Sequence, residues 1–239
     1  MSSSIKNFME SFRFGHLEKP VKDHLKNVYG AMGICLFVCA FGAYVHMFTD
    51  LWGAGFITSL ATLGLLLGLI SMPPTESNMT TRFAMLNGIA FLSGVSLGPL
   101  LEMVVKLNPQ IITTAFMGTS LVFICFSISA LICNDRRYLA LAGTLMSGLT
   151  VIVLLGLLNI FIGSELIFRI EIYLGLAIMC GFVLFDTQMI VEKCRQGDFD
   201  YVHHCLDLFL DFVNIFRYLL IILSNKEANN NRRRRRSDD

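Results

Sequence analysis

Two aspartates lie in strongly apolar stretches near the end of the chain: Asp186 in GFVLFDTQMI and Asp211 in LFLDFVNIF. A charged side chain at the centre of a bilayer costs ~2.5 to 3.5 kcal/mol, so such residues are usually buried against a partner. Two carboxyls that met in a dry site would share one proton and titrate as a coupled unit. Once ionised, they would offer hard oxygen ligands for Ca²⁺, too few for a tight site but enough for transient coordination along a permeation pathway.

The segment that carries Asp211 has a polar stripe. Asp207, Asp211, Asn214 and Tyr218 recur at i, i+4, i+7 and i+11, which places them on one face of a helix. Asp207 and Asn214 are therefore predicted to be secondary polar contacts beside the acid pair. An alternative stays open, in which Asp186 reaches water at a helix end and Asp211 is held by Asn214 or Arg217.

The elements that position these residues are membrane helices. The 239 residues are 54% hydrophobic and only 15% charged, with a mean hydropathy of +0.63, which excludes an ordinary soluble domain. The predicted fold is an all-α membrane bundle of seven hydrophobic helices. Six clear spans of about 20 residues lie near 30–48, 51–72, 84–105, 111–133, 138–162 and 170–191. The seventh, Leu206–Leu223, would be only about 27 Å long, so it either barely spans the bilayer or dips in and returns.

Basic residues at the two ends and in alternate loops predict the orientation. With a cytosolic N-terminus, the loops Pro73–Phe83, Asn134–Arg137 and Val191–Cys205 fall on the same side, in agreement with the positive-inside rule. The rule also favours a cytosolic tail, because a full seventh crossing would carry Arg232, Arg233, Arg234, Arg235 and Arg236 across the membrane.

The predicted spans divide the chain into three parts. They are an arm over 1–27, a membrane domain over 28–224 and a basic tail over 225–239. The arm has no long apolar core and hence no cleavable signal peptide. It either lies on the membrane as an amphipathic helix, through Ile5, Phe8, Met9 and Phe12, or is disordered. The basic tail either binds anionic lipid headgroups or is simply solvated.

Other residues carry weaker signals. The Gly64-x-x-x-Gly68 and Gly94-x-x-x-Gly98 spacings indicate close helix packing. Glu102, one turn beyond Gly98, is either a pathway residue or an interface contact. The seven cysteines form no paired framework, and the adjacent His203 and His204 cannot form an i, i+4 metal pair, so no cofactor is predicted.

The stretch CGFVLFDTQMIVEKCRQGDFDYVHHCLDLFLDFVNIFRYLL, Cys180–Leu220, resembles the C-terminal signature of the transmembrane Bax inhibitor motif family. The stretches FLSGVSLGPLLE, NPQIITTAFMGTSLVFICFS and LAGTLMSGL are similar to that family as well. The resemblance implies an endoplasmic reticulum protein with a pH-sensitive calcium leak that restrains apoptosis and stress signalling. It also implies a central last helix and a proton-sensing aspartate pair, which corresponds here to Asp186 and Asp211.

The same resemblance implies further features. Bacterial relatives latch the aspartate pair with an arginine at the end of the second helix, where this chain has SMPPTESNMTTR, so Arg82 is a substitute only if that loop folds back. The implied partners are the lipid bilayer, anti-apoptotic Bcl-family proteins, calcium-release channels or stress-sensor kinases, with no nucleic acid.

The sequence predicts a protein that is not an enzyme. An intramembrane aspartyl protease also pairs two aspartates as general acid and base, but its Gly-x-Gly-Asp signature precedes neither aspartate here. A non-conducting adaptor, in which the acids only lock the bundle, is the other alternative.

Overall fold

The structure is a computed structural model that describes residues 17–49, 55–133 and 138–238. These residues form seven α-helices, with a short 3₁₀ turn, Tyr138–Leu141, leading into the fifth. The helices are α1 (Lys19–Thr49), α2 (Phe56–Ser71), α3 (Glu76–Leu107), α4 (Gln110–Ile132), α5 (Ala142–Ile162), α6 (Glu165–Arg195) and α7 (Tyr201–Asp238).

The helices have the lengths and composition of a membrane bundle. Helices α1, α3, α4, α5 with its 3₁₀ turn, and α6 are each long and apolar enough to cross a bilayer, and α2 is a shorter apolar helix. The outward faces are rich in exposed large side chains such as Phe37, Leu154 and Phe161, which is expected where lipid is the solvent. The prediction of an all-α, multi-pass membrane protein is confirmed.

Most helices extend beyond the apolar segments seen in the sequence. Helix α1 begins at Lys19 rather than near 30, and α3 begins at Glu76 rather than near 84. The polar residues at these ends are helical as well, because helix formation does not require apolar side chains. The predicted loop Pro73–Phe83 is therefore largely helical, and Arg82 lies on α3. Similarly, α6 and α7 leave only Gln196–Asp200 between them.

Gly197 makes the short turn after α6 possible. Its φ is +93°, a conformation that a residue with a Cβ rarely adopts. The residues Ile5, Phe8, Met9 and Phe12 of the predicted arm and the loop Asn134–Arg137 lie outside the described residues.

Helix α7 is the central helix, packed against α1, α3, α4 and α6. It is continuous over 38 residues and contains neither glycine nor proline, so nothing in its sequence interrupts it. The predicted segment Leu206–Leu223 is thus part of a longer helix that does not turn back. In the structure this segment is one uninterrupted helix, whereas the other alternative has it dip into the bilayer and return.

The bundle has two ends, here called proximal and distal. The proximal end holds the starts of α1, α3 and α7, because His24 on α1 contacts His204 on α7 and Arg82 on α3 contacts Asp200. The distal end holds the start of α6 and the end of α7, since Glu165 and Arg169 border the same cavity as Arg232. The sequence favoured a tail that returns to the side of the N-terminal arm, but the uninterrupted helix carries it to the opposite end.

Helices α1 and α3 approach closely at two glycines. A Cβ placed at Gly94 would overlap the carbonyl oxygen of Cys39, and one at Gly42 would overlap that of Phe91. Small residues allow this contact between backbones, which is the usual basis of helix packing in lipid. The predicted close packing holds for Gly94, whereas Gly64 faces open space.

Candidate functional site: a buried acid pair

The site lies between the two last helices. Asp211 projects from α7 and is only 5% exposed, while Asp186 projects from α6 and is partly buried. At 1.5 Å per residue, Asp211 lies about 15 Å from the start of α7 and Asp186 about 14 Å from the end of α6. Both carboxyls are therefore well inside the bundle and at the same depth.

The structure brings these two carboxyls close enough for a hydrogen bond between them. A carboxylate only accepts hydrogen bonds, so this contact requires a proton on one of the two groups. The Oδ2 oxygen of Asp211 is buried and has no hydrogen-bond partner among the described residues. Two carboxyls in this arrangement could share one proton, and Asp211 is the more enclosed of the two.

The secondary residues of the polar stripe lie beside the pair but are less buried. Asp207, one turn nearer the proximal end, is 34% exposed and lies 3.9 Å from the imidazole of His203. Asn214 and Tyr218 are partly buried further along the same helix. The stripe thus leads from a partly accessible acid, Asp207, to the enclosed acid, Asp211.

The pair lacks the ligands of a tight metal site. Within the described ranges, no group of three His, Cys, Asp or Glu side chains is arranged to hold a metal ion. Ca²⁺ normally takes 6 to 8 oxygen ligands, so two carboxylates could coordinate it only transiently. Such weak coordination is compatible with an ion in passage.

Sequence reasoning missed a cluster of hydroxyls near the pair. The Tyr29 hydroxyl on α1 faces those of Ser127 on α4 and Thr187 on α6, and all three are buried. Thr187 follows Asp186 directly in the chain. No sequence spacing could have shown this cluster, because its members come from three helices.

Arg82 is not a latch on the acid pair. It is 3% exposed, and its Nη2 donates a 2.6 Å hydrogen bond to Oδ2 of Asp200 in the α6–α7 connection. Burial works to raise the pKa of Asp200, but the hydrogen bond from Arg82 and that from the His203 backbone N–H outweigh it and hold the pKa below its ordinary value. Arg82 therefore fixes the start of α7.

A second contact at the proximal end joins α1 directly to α7. His24 Nε2 and His204 Nδ1 are 2.9 Å apart, and both side chains are buried. One imidazole must donate and the other accept, so at least one of the two is neutral. His204 Nε2 lies 3.9 Å from Asp198 without a hydrogen bond. This pair was not predicted from the sequence.

The remaining predicted residues lie toward the distal end. Glu102 is 33% exposed and lies 3.5 Å from Nε2 of the buried His46, so it is an interface contact between α3 and α1. Arg232, Arg233 and Arg234 are exposed at the end of α7, whereas the side chains of Arg235 and Arg236 lie outside what the structure describes. None of these residues reaches the acid pair.

Arg217 is a further charged residue within the apolar part of α7. It lies six residues beyond Asp211, about 9 Å along the helix, with Tyr218 and Cys39 as its electrostatic neighbours. It is partly buried and makes no ion pair with any residue that the structure describes. It therefore does not hold Asp211, which was one of the open alternatives.

Comparison with known proteins shows the family of this chain. The family described as "Inhibitor of apoptosis-promoting Bax1" matches residues 21–228. The chain belongs to the Bax inhibitor 1 family. It is 48% identical over 218 residues to Bax inhibitor 1 of Homo sapiens, covering 91% of this chain and 92% of that protein.

Other members of the family are similarly close. The chain is 49% identical over 218 residues to a probable Bax inhibitor 1 of Paralichthys olivaceus, with 91% of this chain and 92% of that protein covered. It is 41% identical over 222 residues to Bax inhibitor 1 of Arabidopsis thaliana, at 92% and 85% coverage. The resemblance predicted from Cys180–Leu220 is confirmed over nearly the whole chain.

Proposed function

We propose that this protein is an endoplasmic reticulum membrane protein that passes Ca²⁺ through a proton-gated leak and thereby restrains apoptosis and stress signalling. The observation that carries the proposal is the close approach of two carboxyls, that of Asp186 on α6 and that of the buried Asp211 on the central helix α7. The names of the Bax inhibitor 1 relatives support the anti-apoptotic part of the proposal.

The shared proton closes the leak in this mechanism. Asp211, the more enclosed acid, keeps the proton, because an ionised carboxyl is most costly where water is least accessible. The protonated group donates to Asp186 and ties α6 to α7. Loss of the proton leaves two carboxylates side by side, which repel each other and attract a cation, so the leak opens as the pair ionises.

Arg217 sets the balance of charge around the pair. With one shared proton the pair carries one negative charge, which the positive charge of Arg217, six residues further along α7, offsets. When the proton leaves, one negative charge is in excess and a cation is attracted. In the closed state the positive charge of Arg217 thus leaves no net negative charge that would attract Ca²⁺ into the interior of the bundle.

Reconstitution tests the proposal. The purified full chain is placed in liposomes that enclose a calcium indicator, and the leak is followed from pH 6 to pH 8. We expect Asp211→Asn to lower the leak at pH 8 by at least tenfold and to abolish its pH dependence, because the amide keeps the hydrogen bond to Asp186 but cannot ionise. Asp23→Asn, at an exposed carboxylate paired with Lys26, is the matched control and should leave the leak unchanged.

Arg217→Gln adds an independent arm. It should raise the leak at pH 6 several-fold, because the interior loses its opposing charge. A leak that increases as the pH falls would contradict this gate. Absence of flux in every form would favour the non-conducting adaptor, and cleavage of a membrane-spanning peptide would favour the protease.

A further inference from the structure

A cavity of about 720 Å³ opens between the first turns of α6 and the end of α7. Four basic side chains line it: Arg169 from α6, and Lys226, Arg232 and Arg233 from α7. The acidic residue of its lining, Glu165, lies 3.4 Å from Arg169 and offsets only one of these charges. The cavity therefore has an excess of positive charge.

The other side of the same cavity is apolar. Phe168, Ile172 and Tyr173 of α6 and Ile222 of α7 line it. On α7 the apolar run ends at Leu223 and is followed by Ser224 to Asn231, which are polar except for Ala228. On α6, Arg169 and Glu171 are the last charged residues before the apolar stretch from Ile172 to Phe185. The cavity thus lies where both helices pass from hydrocarbon-compatible to water-compatible residues, which is the depth of lipid headgroups.

We propose that this cavity binds one anionic phospholipid, with its headgroup on the basic side and the start of an acyl chain on the apolar side. Arg169, Arg232 and Arg233 would donate charge-assisted hydrogen bonds to the phosphate, and their planar guanidinium groups suit this geometry. Asn225 and Asn229 line the cavity as well and can donate to headgroup or ester oxygens.

The chemistry of the lining selects this ligand over two others. A free phosphate would satisfy the arginines but leave Phe168 and Ile222 without a contact. A zwitterionic lipid would fill the apolar side but bring no net charge to balance the excess of positive charge. The site is separate from the acid pair and does not depend on the proposed leak.

Native mass spectrometry of the detergent-purified full chain tests the proposal, with phosphatidylserine, phosphatidylcholine and inorganic phosphate as probes. We expect phosphatidylserine to be retained in preference to the other two. The triple variant Arg169→Gln, Arg232→Gln, Arg233→Gln should weaken its binding roughly 100-fold, at about fivefold per charge. These arginines are exposed, so the variant should keep the melting temperature of the unaltered protein.

Two control variants distinguish binding of the lipid in this cavity from general attraction between the lipid and a basic protein. The variant Lys19→Gln, Lys22→Gln, Lys26→Gln removes as many charges at the proximal end and should change binding by less than twofold. Phe168→Ala with Ile222→Ala should weaken retention of the lipid several-fold. An equal loss in the lysine variant, equal retention of phosphatidylcholine, or displacement of the lipid by an equal concentration of inorganic phosphate would each overturn the proposal.

Discussion

The two ends of the bundle use similar residues in different ways. At the proximal end, Arg82 pairs with Asp200 at 2.6 Å and His24 with His204 at 2.9 Å, and Arg82 and both histidines are buried. At the distal end, Arg169 pairs with Glu165 at 3.4 Å and is 59% exposed. Buried charges and imidazoles depend on their partners, whereas exposed ones have water as an alternative. The proximal end is thus held by specific contacts, and the distal end remains available to ligands.

Arg82→Gln should have the largest effect on stability. Removing one partner of a buried ion pair costs about 3 to 5 kcal/mol, because the other charge is left unpaired. Arg169→Gln makes the same change at the distal end and should cost less than about 1 kcal/mol. Unfolding of both variants in a zwitterionic detergent measures the difference. Equal losses would remove the distinction between the two ends.

Asp200→Asn tests the same ion pair through its pH dependence. The pKa of Asp200 is lower in the folded protein than its ordinary value of 3.8. The stabilisation by this carboxylate is therefore fully present above that value and is lost only as the pH falls through the lower folded value. We expect the stability difference between the native protein and Asp200→Asn to stay constant from pH 8 to pH 5. A difference that shrinks between pH 7 and pH 5.5 would contradict the assignment.

His24→Phe should have an intermediate effect. Phenylalanine keeps a planar aromatic ring, although a larger one, and Nδ1 of the buried His204 loses its partner, which costs about 1 to 3 kcal/mol. His203→Phe is the natural control, because His203 is 34% exposed and its ring can be solvated. We expect the control to change the melting temperature little. A His24→Phe protein as stable as the native one would show that the histidine contact contributes nothing.

Glu102→Gln should have the smallest effect. Glu102 is a third exposed and its contact with His46 is long, at 3.5 Å. We expect a change in stability below about 1 kcal/mol and a change in calcium leak below twofold in the liposome assay. A tenfold change in leak would instead assign Glu102 to the pathway.

The acid pair could be predicted from sequence because both aspartates lie in otherwise apolar stretches. An aspartate in the run LFLDFVNIF needs a polar partner. Few polar residues lie in the other apolar stretches, so the choice of partners is small. The proximal contacts could not be predicted, since their members are 180 and 118 residues apart and nothing in their local sequence is unusual. These residues pair because of the way the helices are arranged. In a membrane the pattern of apolar residues does not determine that arrangement, because the surrounding lipid is as apolar as the helix surfaces.

The position of the basic tail is a case in which the sequence-based prediction and the structure differ. Charge counting favoured a return to the side of the N-terminal arm, whereas the uninterrupted helical sequence from Tyr201 to Asp238 requires the chain to continue.

The length of α7 has a mechanical consequence. Its 38 residues form a rod about 57 Å long, without a hinge, and Arg232 lies about 32 Å from Asp211 along it. A stiff rod transmits rotation and translation instead of absorbing them. If binding at the basic end rotated or shifted α7, the same rotation or shift would therefore reach Asp211.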